Sequence, residues 1–353
     1  MRAKDFSSAL LYWYARNKRE LPWRETTDPY AIWLSEVILQ QTRVAQGLTY
    51  YQRLLEAFPD VHRLAAAPED ALMKLWQGLG YYSRARHLHE TAKQIASVHK
   101  GLFPGHYVEL LKFKGIGEYT AAAIASISFG EPVPVIDGNV LRVYARYAGI
   151  REPVDELKTR KVIKTALHKL IDRKKPADFN QALMELGALV CTVRQPDCRN
   201  CPLLAGCYAY SHSMQELLPV KRKKKTAKAR YFHYLAIFDG KYTYIRKRGG
   251  KDIWKSLYEF PLIETAERTE PSELMSSASF RALVGTSWSE LHLSRPYKHQ
   301  LTHQTLHCWF YLIRIKGKQE HPTKEFLRVP LIDLPAYAFP RLIEKYLQDE
   351  GLA

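Results

Sequence analysis

Along residues 6 to about 211, apolar positions recur at the three-to-four spacing of helices that bury one face, so this stretch is predicted to be almost wholly α-helical. Start signals agree: Thr27-Asp28-Pro29 precedes a helix expected over Ala31–Gln46, and Asp137 precedes one expected over Val140–Tyr147. A further helix is expected over Tyr119–Ser128. Beyond residue 230 the pattern becomes that of strands. Tyr231–Phe238 and Lys241–Arg248 are aromatic and β-branched runs joined by Asp239-Gly240, a pair that favours a two-residue hairpin turn. His307–Ile315 is another strand candidate, while Glu273–Val284 and Ala336–Leu347 read as helices. Between the two textures, Met214–Arg230 contains Lys221-Arg222-Lys223-Lys224-Lys225 and lacks a core-forming pattern. The chain therefore divides into an all-α domain over 1–211, a basic linker over 212–230 and an α+β domain over 231–353. No internal repeat of fixed period interrupts this division.

Composition narrows the class. With 353 residues, 46% of them hydrophobic, the chain can build two cores. No apolar run approaches the roughly 20 residues that cross a bilayer, and the opening MRAKDFSSALLYWYARNKRE carries charges throughout, unlike a signal peptide. No membrane association and a cytoplasmic address are expected by elimination. Lys and Arg number 53 against 36 Asp and Glu, a formal charge of +17. Such an excess suits a polyanion, because each neutralised phosphate releases condensed counterions. It suits a merely basic surface equally well, so motifs must decide.

Four of the five cysteines, Cys191, Cys198, Cys201 and Cys207, lie within 17 residues as C-x6-C-x2-C-x5-C. Four thiolates on one loop can wrap an iron–sulfur cubane or a zinc ion, and both remain open on spacing alone. Cys308 stands apart and reads as a buried strand residue. A second motif, Leu111-Lys112-Phe113-Lys114-Gly115-Ile116-Gly117-Glu118-Tyr119, links two helical stretches through Gly115 and Gly117. Glycines let the backbone approach a ligand, and the helix start beyond them offers unpaired N–H groups to a phosphate, although a simple turn would use the same residues.

Two carboxylates stand in different surroundings. Glu36 has Ile32, Trp33, Leu39 and Gln40 one turn away, so desolvation should raise its pKa and suit it to donate a proton. Asp137 follows Val133-Pro134-Val135-Ile136 and precedes a helix, where capping hydrogen bonds should keep it ionised. The two are expected to be pushed in opposite directions, as an acid and an anion sharing one site would be. That pair suits breaking a bond that leaves positive charge on a sugar.

The segments Leu21-Pro22-Trp23-Arg24, Trp33-Leu34-Ser35-Glu36, Gln40-Gln41-Thr42, Gly78-Leu79-Gly80-Tyr81-Tyr82, Ile136-Asp137-Gly138-Asn139 and the cysteine loop resemble, in order and over essentially the whole chain, the MutY family of adenine glycosylases, relatives of endonuclease III. The resemblance implies a helix-hairpin-helix glycosylase domain with a [4Fe–4S] loop, followed by a MutT/Nudix-like α+β domain. It implies that Glu36 protonates adenine N7 and then activates water, that Asp137 stabilises or captures the sugar C1′, and that Asn139 supports Asp137. Gln41, Thr42 and Tyr81 would wedge into the duplex as the base flips out, while Arg19, Trp23 and Arg24 would line the adenine pocket. Gln181 stands where some relatives place a glutamate that contacts adenine. Arg194 and Arg199, beside the cluster, would meet the DNA backbone. Lys114 replaces a proline common in the family hairpin.

Tyr119 selects within the superfamily. Bifunctional relatives place a lysine here whose amine attacks the sugar; tyrosine cannot form that Schiff base, so a monofunctional glycosylase with Tyr119 hydrogen-bonded near Glu36 is expected. In the second domain, Trp254-Lys255-Ser256-Leu257-Tyr258-Glu259-Phe260-Pro261 resembles the family's MutT-like segment, but Leu262–Leu274 lacks the glutamate-rich Nudix signature, so pyrophosphatase activity is not expected. Leu301-Thr302-His303 resembles a Phe-Ser-His loop that reads the opposite strand, with Thr302 and His303 retained in kind and the aromatic lost. The implied partner is double-stranded DNA containing adenine opposite 8-oxoguanine or guanine, bound by a nucleoid-associated monomer; a sliding clamp and mismatch-repair proteins are candidate contacts. Two rival readings are a bifunctional glycosylase/lyase of the same fold and a non-enzymatic iron–sulfur DNA-binding protein.

Overall fold

The computed structural model describes residues 3–222, 227–250, 252–285, 288–315 and 325–352. Lys223, Lys224 and Lys225 of the expected basic linker lie outside the described residues. In chain order the first helices are α1 (Ala3–Asn17), α2 (Pro29–Leu39), α3 (Val44–Ala57), α4 (Val61–Ala66), α5 (Glu69–Trp76), α6 (Ser83–Val98) and α7 (Tyr107–Leu110). They are followed by α8 (Glu118–Phe129), α9 (Gly138–Ala148), α10 (Leu157–Leu170), α11 (Pro176–Leu189) and α12 (Tyr208–Ser211). The remaining elements are β1 (Lys228–Asp239), β2 (Tyr242–Lys247), β3 (Tyr258–Glu259), β4 (Leu262–Thr265), α13 (Pro271–Ser276), α14 (Ala278–Val284), β5 (Trp288–Leu293), β6 (Tyr297–Gln300), β7 (Gln304–Ile315), β8 (Leu327–Pro330) and α15 (Arg341–Asp349). No helix among the described residues is long and apolar enough to cross a membrane.

Contacts group the chain into two units, 1–66 with 86–223, and 67–85 with 224–353. The second grouping departs from a first domain running unbroken over 1–211, because α5 packs with the C-terminal part: Tyr258 donates to Asp70 Oδ2 at 3.1 Å, and Lys74 Nζ donates to the Tyr337 carbonyl at 3.2 Å.

In the helical unit, Pro29 opens α2 and Asp28 caps it, accepting from the N–H groups of Tyr30 (3.1 Å) and Ala31 (3.3 Å). Tyr30 to Ile38 are all buried, so α2 is a core helix and not a surface one. The helix expected over Ala31–Gln46 is broken: the chain leaves it at Gln40, Gln41 takes φ +60°, and α3 begins at Val44. Apolar residues flank the break on both sides, so periodicity alone runs straight through it. In α8, Thr120 to Ile127 are buried; their small side chains let α2 and α11 pack closely on it. Phe6 and Leu10 of α1, Val140 and Val143 of α9, and Phe179 and Leu183 of α11 form one buried cluster.

The C-terminal unit is built on a mixed sheet of order β3-β2-β1-β7-β5, with β4 beside β1, β6 beside β7 and β8 beside β2. β1 and β7 run parallel from Lys228↔Gln304 to Phe238↔Arg314. The β1–β2 hairpin turns at Gly240 (φ +60°), as its Asp-Gly pair predicts, and the expected strand 307–315 lies inside β7, where Cys308 is fully buried. Two expected helices are corrected. Glu273–Val284 divides at Ser277, whose hydroxyl caps α14 through Phe280 N (3.1 Å). Ala336–Leu347 is helical only from Arg341, where α15 starts, because Pro340 forces its predecessor out of helical conformation.

Candidate active site

Glu36 projects from α2 with 5% of its surface exposed, and Tyr119, one residue into α8, donates its hydroxyl hydrogen bond to Glu36 Oε2. Burial pushes the Glu36 carboxyl up to about 7, aided by the negative charge of Asp137 and opposed by the Tyr119 hydrogen bond and by Arg24. Burial and the two neighbouring carboxylates hold Tyr119 well above its ordinary value, so it remains a neutral donor.

Asp137 is the N-cap of α9: Oδ1 accepts from Val140 N (2.6 Å) and Oδ2 from Asn139 Nδ2 (2.9 Å). The expectation of opposite displacements is corrected, since burial raises Asp137 as well; the Val140 and Asn139 hydrogen bonds and the Arg142 charge oppose that rise without reversing it. Asn139 is itself held from both sides. Its Oδ1 accepts from Arg142 Nη2 (2.8 Å), whose Nε donates to the Cys191 carbonyl (2.7 Å). On α11, Gly187 faces it so closely that an added Cβ would lie 2.6 Å from Asn139 Cβ, so only glycine lets the two helices meet here. The approach to Asp137 is fixed by Asn180 of α11, which accepts from Val135 N (3.0 Å) and donates to the Val133 carbonyl (2.9 Å) and to Ser126 Oγ (2.9 Å).

Glu36, Tyr119, Asp137 and Asn139 open onto one cavity of about 170 Å³, and Arg19, Trp23, Arg24, Thr42 and Gln181 line it as well. Trp23 is both pocket wall and core aromatic, packed edge-on against Tyr51 at 5.3 Å. Gln181 accepts a 2.6 Å hydrogen bond from Tyr14. The sequence reading missed Glu185, one turn along α11 from Gln181. Arg19 and Arg24 both pair with it, at 2.6 and 2.7 Å, and these cations bring its carboxyl down to about 2. A lone glutamate in Met184-Glu185-Leu186 carries no local signal of that role.

Gln41 does not line the cavity; it is exposed at the α2–α3 break. Tyr81 belongs to the other unit, is 47% exposed and has φ +49°, a left-handed conformation that bulky residues rarely adopt. Its hydroxyl lies 3.5 Å from Thr302 Oγ1, in the turn between β6 and β7, where the His303 carbonyl accepts from Lys228 N at 3.0 Å. In the hairpin, Gly115 has φ +84°, and a Cβ there would meet His87 Cβ at 2.5 Å. Gly117 is extended, with open space where its Cβ would be, at the N-cap of α8. Lys114 pairs with Glu90 at 3.0 Å.

Cys191, Cys198, Cys201 and Cys207 are free thiols that line a single cavity with Arg146, Leu186 and Leu203. Burial pushes Cys201 up to about 12 and raises Cys198 and Cys207. Arg146 Nη1 lies 3.4 Å from Cys191 Sγ and also donates to the Thr192 carbonyl at 2.6 Å, bracing the loop. Among the described residues no group of three or more His, Cys, Asp or Glu side chains is arranged to hold a metal ion as it stands.

Residues 34–173 match the HhH-GPD superfamily of base excision DNA repair proteins, and residues 233–349 match the NUDIX domain. An adenine DNA glycosylase of Buchnera aphidicola subsp. Baizongia pistaciae is 34% identical over 320 residues, 88% of this chain and 87% of that protein. The Homo sapiens adenine DNA glycosylase is 42% identical over 223 residues, 60% of this chain and 41% of that one. A thermostable thymine-DNA glycosylase structure superposes with a TM-score of 0.55 at 28% identity, covering 60% of this chain and 97% of the other.

Proposed function

Because this chain belongs to the adenine DNA glycosylase family, and is thus a DNA N-glycosylase of base excision repair, we propose that it removes adenine paired with 8-oxoguanine or guanine by hydrolysis alone. The observation that carries this reading is the single cavity shared by Glu36, Tyr119 and Asp137. A carboxyl raised to about 7 is still substantially protonated at neutral pH and can donate to N7 of an extruded adenine. As the C1′–N9 bond breaks, its electron pair leaves with the base. Positive charge develops at C1′, where anionic Asp137 stabilises it. Glu36, now a carboxylate, takes a proton from water while the hydroxide adds to C1′, which restores the acid. Among the described residues no lysine lines this cavity to form a Schiff base, and Tyr119 lies beside Glu36 within it.

Gln41, Thr42 and Tyr81 would enter the space left by the flipped nucleotide, the N-terminus of α8 beyond Gly115 and Gly117 would hold a backbone phosphate, and Thr302 and His303 would contact the 8-oxoguanine strand. The four cysteines would hold a [4Fe–4S] cluster, a choice supported by their donor set and shared cavity. When bound, the cluster supplies structural order to the loop that carries Arg194 and Arg199. The test is adenine release from a duplex with adenine opposite 8-oxoguanine, with strand nicking scored before and after hot alkali. Free adenine with nicks only after alkali is expected, lost in Glu36→Gln and Asp137→Asn while DNA is still bound. A protein–DNA adduct trapped by borohydride during turnover would instead support the bifunctional reading.

A further inference from the structure

Glu185 lies at the edge of the reaction cavity but takes no part in the chemistry described above. It is 1% exposed, and its two oxygens accept five hydrogen bonds from two arginines. Oε1 accepts from Arg19 N, Arg19 Nε and Arg24 Nη1, each at 2.9 Å; Oε2 accepts from Arg19 Nη2 at 2.6 Å and Arg24 Nη2 at 2.7 Å. Arg24 Nη1 also donates to the Arg19 carbonyl at 2.9 Å, closing the network on itself. A buried carboxylate is stable only when its lone pairs are satisfied and its charge is matched, and both conditions hold here.

We infer that Glu185 is a positioning residue: it clamps Arg19 and Arg24 against one wall of the cavity and partly offsets the charge of Arg24, a cation that acts on Glu36. The inference rests on the reading of Glu36 as proton donor. The groups that act on Glu36 are Tyr119 from α8, Asp137 from the start of α9 and Arg24 from the turn before α2. Of these only Arg24 is a cation, and it favours the ionised, inactive form. Around Glu185 the facing groups are Arg19, Arg24 and Tyr14 of α1, whose ring lies 5.6 Å from the Arg24 guanidinium. Without its partner carboxylate, Arg24, whose side chain is 10% exposed, would bear an uncompensated charge largely out of solvent, where each charge acts more strongly.

The test is the pH profile of single-turnover adenine release. In the unsubstituted protein the rate should fall as pH rises past about 7, following Glu36, and Glu36→Gln should remove that limb; a limb that survives in Glu36→Gln refutes the donor assignment itself, whatever Glu185 does. Glu185→Gln should move the limb to lower pH by roughly one unit, about a tenfold loss of rate above it, with duplex binding retained. Adding Arg24→Gln to Glu185→Gln should bring the limb back, because the displacement acts through that cation. A rate reduced by one factor at every pH, with the limb unmoved, would make Glu185 a purely structural residue and overturn the proposal. If Glu185→Gln does not fold, Glu185→Asp decides, because the shorter carboxylate draws back from the Arg24 guanidinium: a limb moved to lower pH supports the inference, and a rate reduced equally at every pH with the limb unmoved refutes it.

Discussion

The fold raises the Glu36 carboxyl, and the energy that does so is lost from stability when the group ionises. Its carboxyl rises from the ordinary 4.5 to about 7, a displacement worth about 3 kcal/mol. The sign follows from proton binding. Between these two pH values the folded protein holds a proton that the unfolded chain has released, so stability falls as pH rises through this window. Below about 4.5 the carboxyl is neutral in both states and costs nothing; above about 7 the folded state bears the full cost of a desolvated carboxylate. Glu36→Gln keeps the shape, and its amide carbonyl still accepts the Tyr119 hydrogen bond, but it never ionises. The inactive variant should therefore be more stable than the parent at pH 8, by up to about 3 kcal/mol or roughly 6–10 °C in the melting of the helical unit. At pH 4 the two should melt together. Thermal melts of both proteins at the two pH values, followed by far-UV circular dichroism, provide the measurement. A gain of equal size at both pH values would show that ionisation of Glu36 does not carry the difference, and would refute the raised carboxyl.

Asp137→Asn should lower adenine release by on the order of 10³-fold or more, while the asparagine still caps α9 and costs no more than about 1 kcal/mol in a denaturant titration. Gly115→Ala, which requires both φ +84° and displacement of His87, should cost about 2 kcal/mol and weaken duplex binding; Gly117→Ala, at an extended position with open space, should leave stability within about 1 kcal/mol. Asn180→Leu would orphan Val135 N and the Val133 carbonyl, while Ser126 Oγ keeps its bond to the Ala122 carbonyl, and should cost about 3 kcal/mol by urea unfolding together with a loss of rate, because that segment leads into Asp137.

The parts of the site legible in the sequence were those with local signatures. Glu36 stood out because α2 is apolar on every face, and Asp137 because a carboxylate before a helix start is a cap. Gln41 shows what periodicity cannot convey: the break between α2 and α3 falls where apolar residues continue on both sides, so one long helix fitted the pattern as well as two. Glu185 was invisible for another reason. Its meaning comes from Arg19 and Arg24, more than 160 positions away in the chain, and nothing in the residues beside it distinguishes a buried arginine clamp from an ordinary solvated glutamate. Asp137 was judged by its hydrogen bonds alone; their effect is opposed by the depth at which α9 begins, and depth is a property of packing. The grouping of α5 with the sheet likewise depends on partners such as Tyr258 and Tyr337, which local pattern could not link to Asp70 and Lys74.

That last arrangement has a consequence for synthesis. Residues 67–85 leave the ribosome about 140 residues before the first of the segments they will join, an interval on the order of ten seconds at ordinary translation rates. During that time Leu72, Met73 and Trp76, fully buried in the finished protein, are made before the later segments of their unit exist, so the nascent chain carries a stretch of apolar surface through this interval. Cotranslational chaperone capture should therefore concentrate on this short stretch and end only once the distal strands have been made.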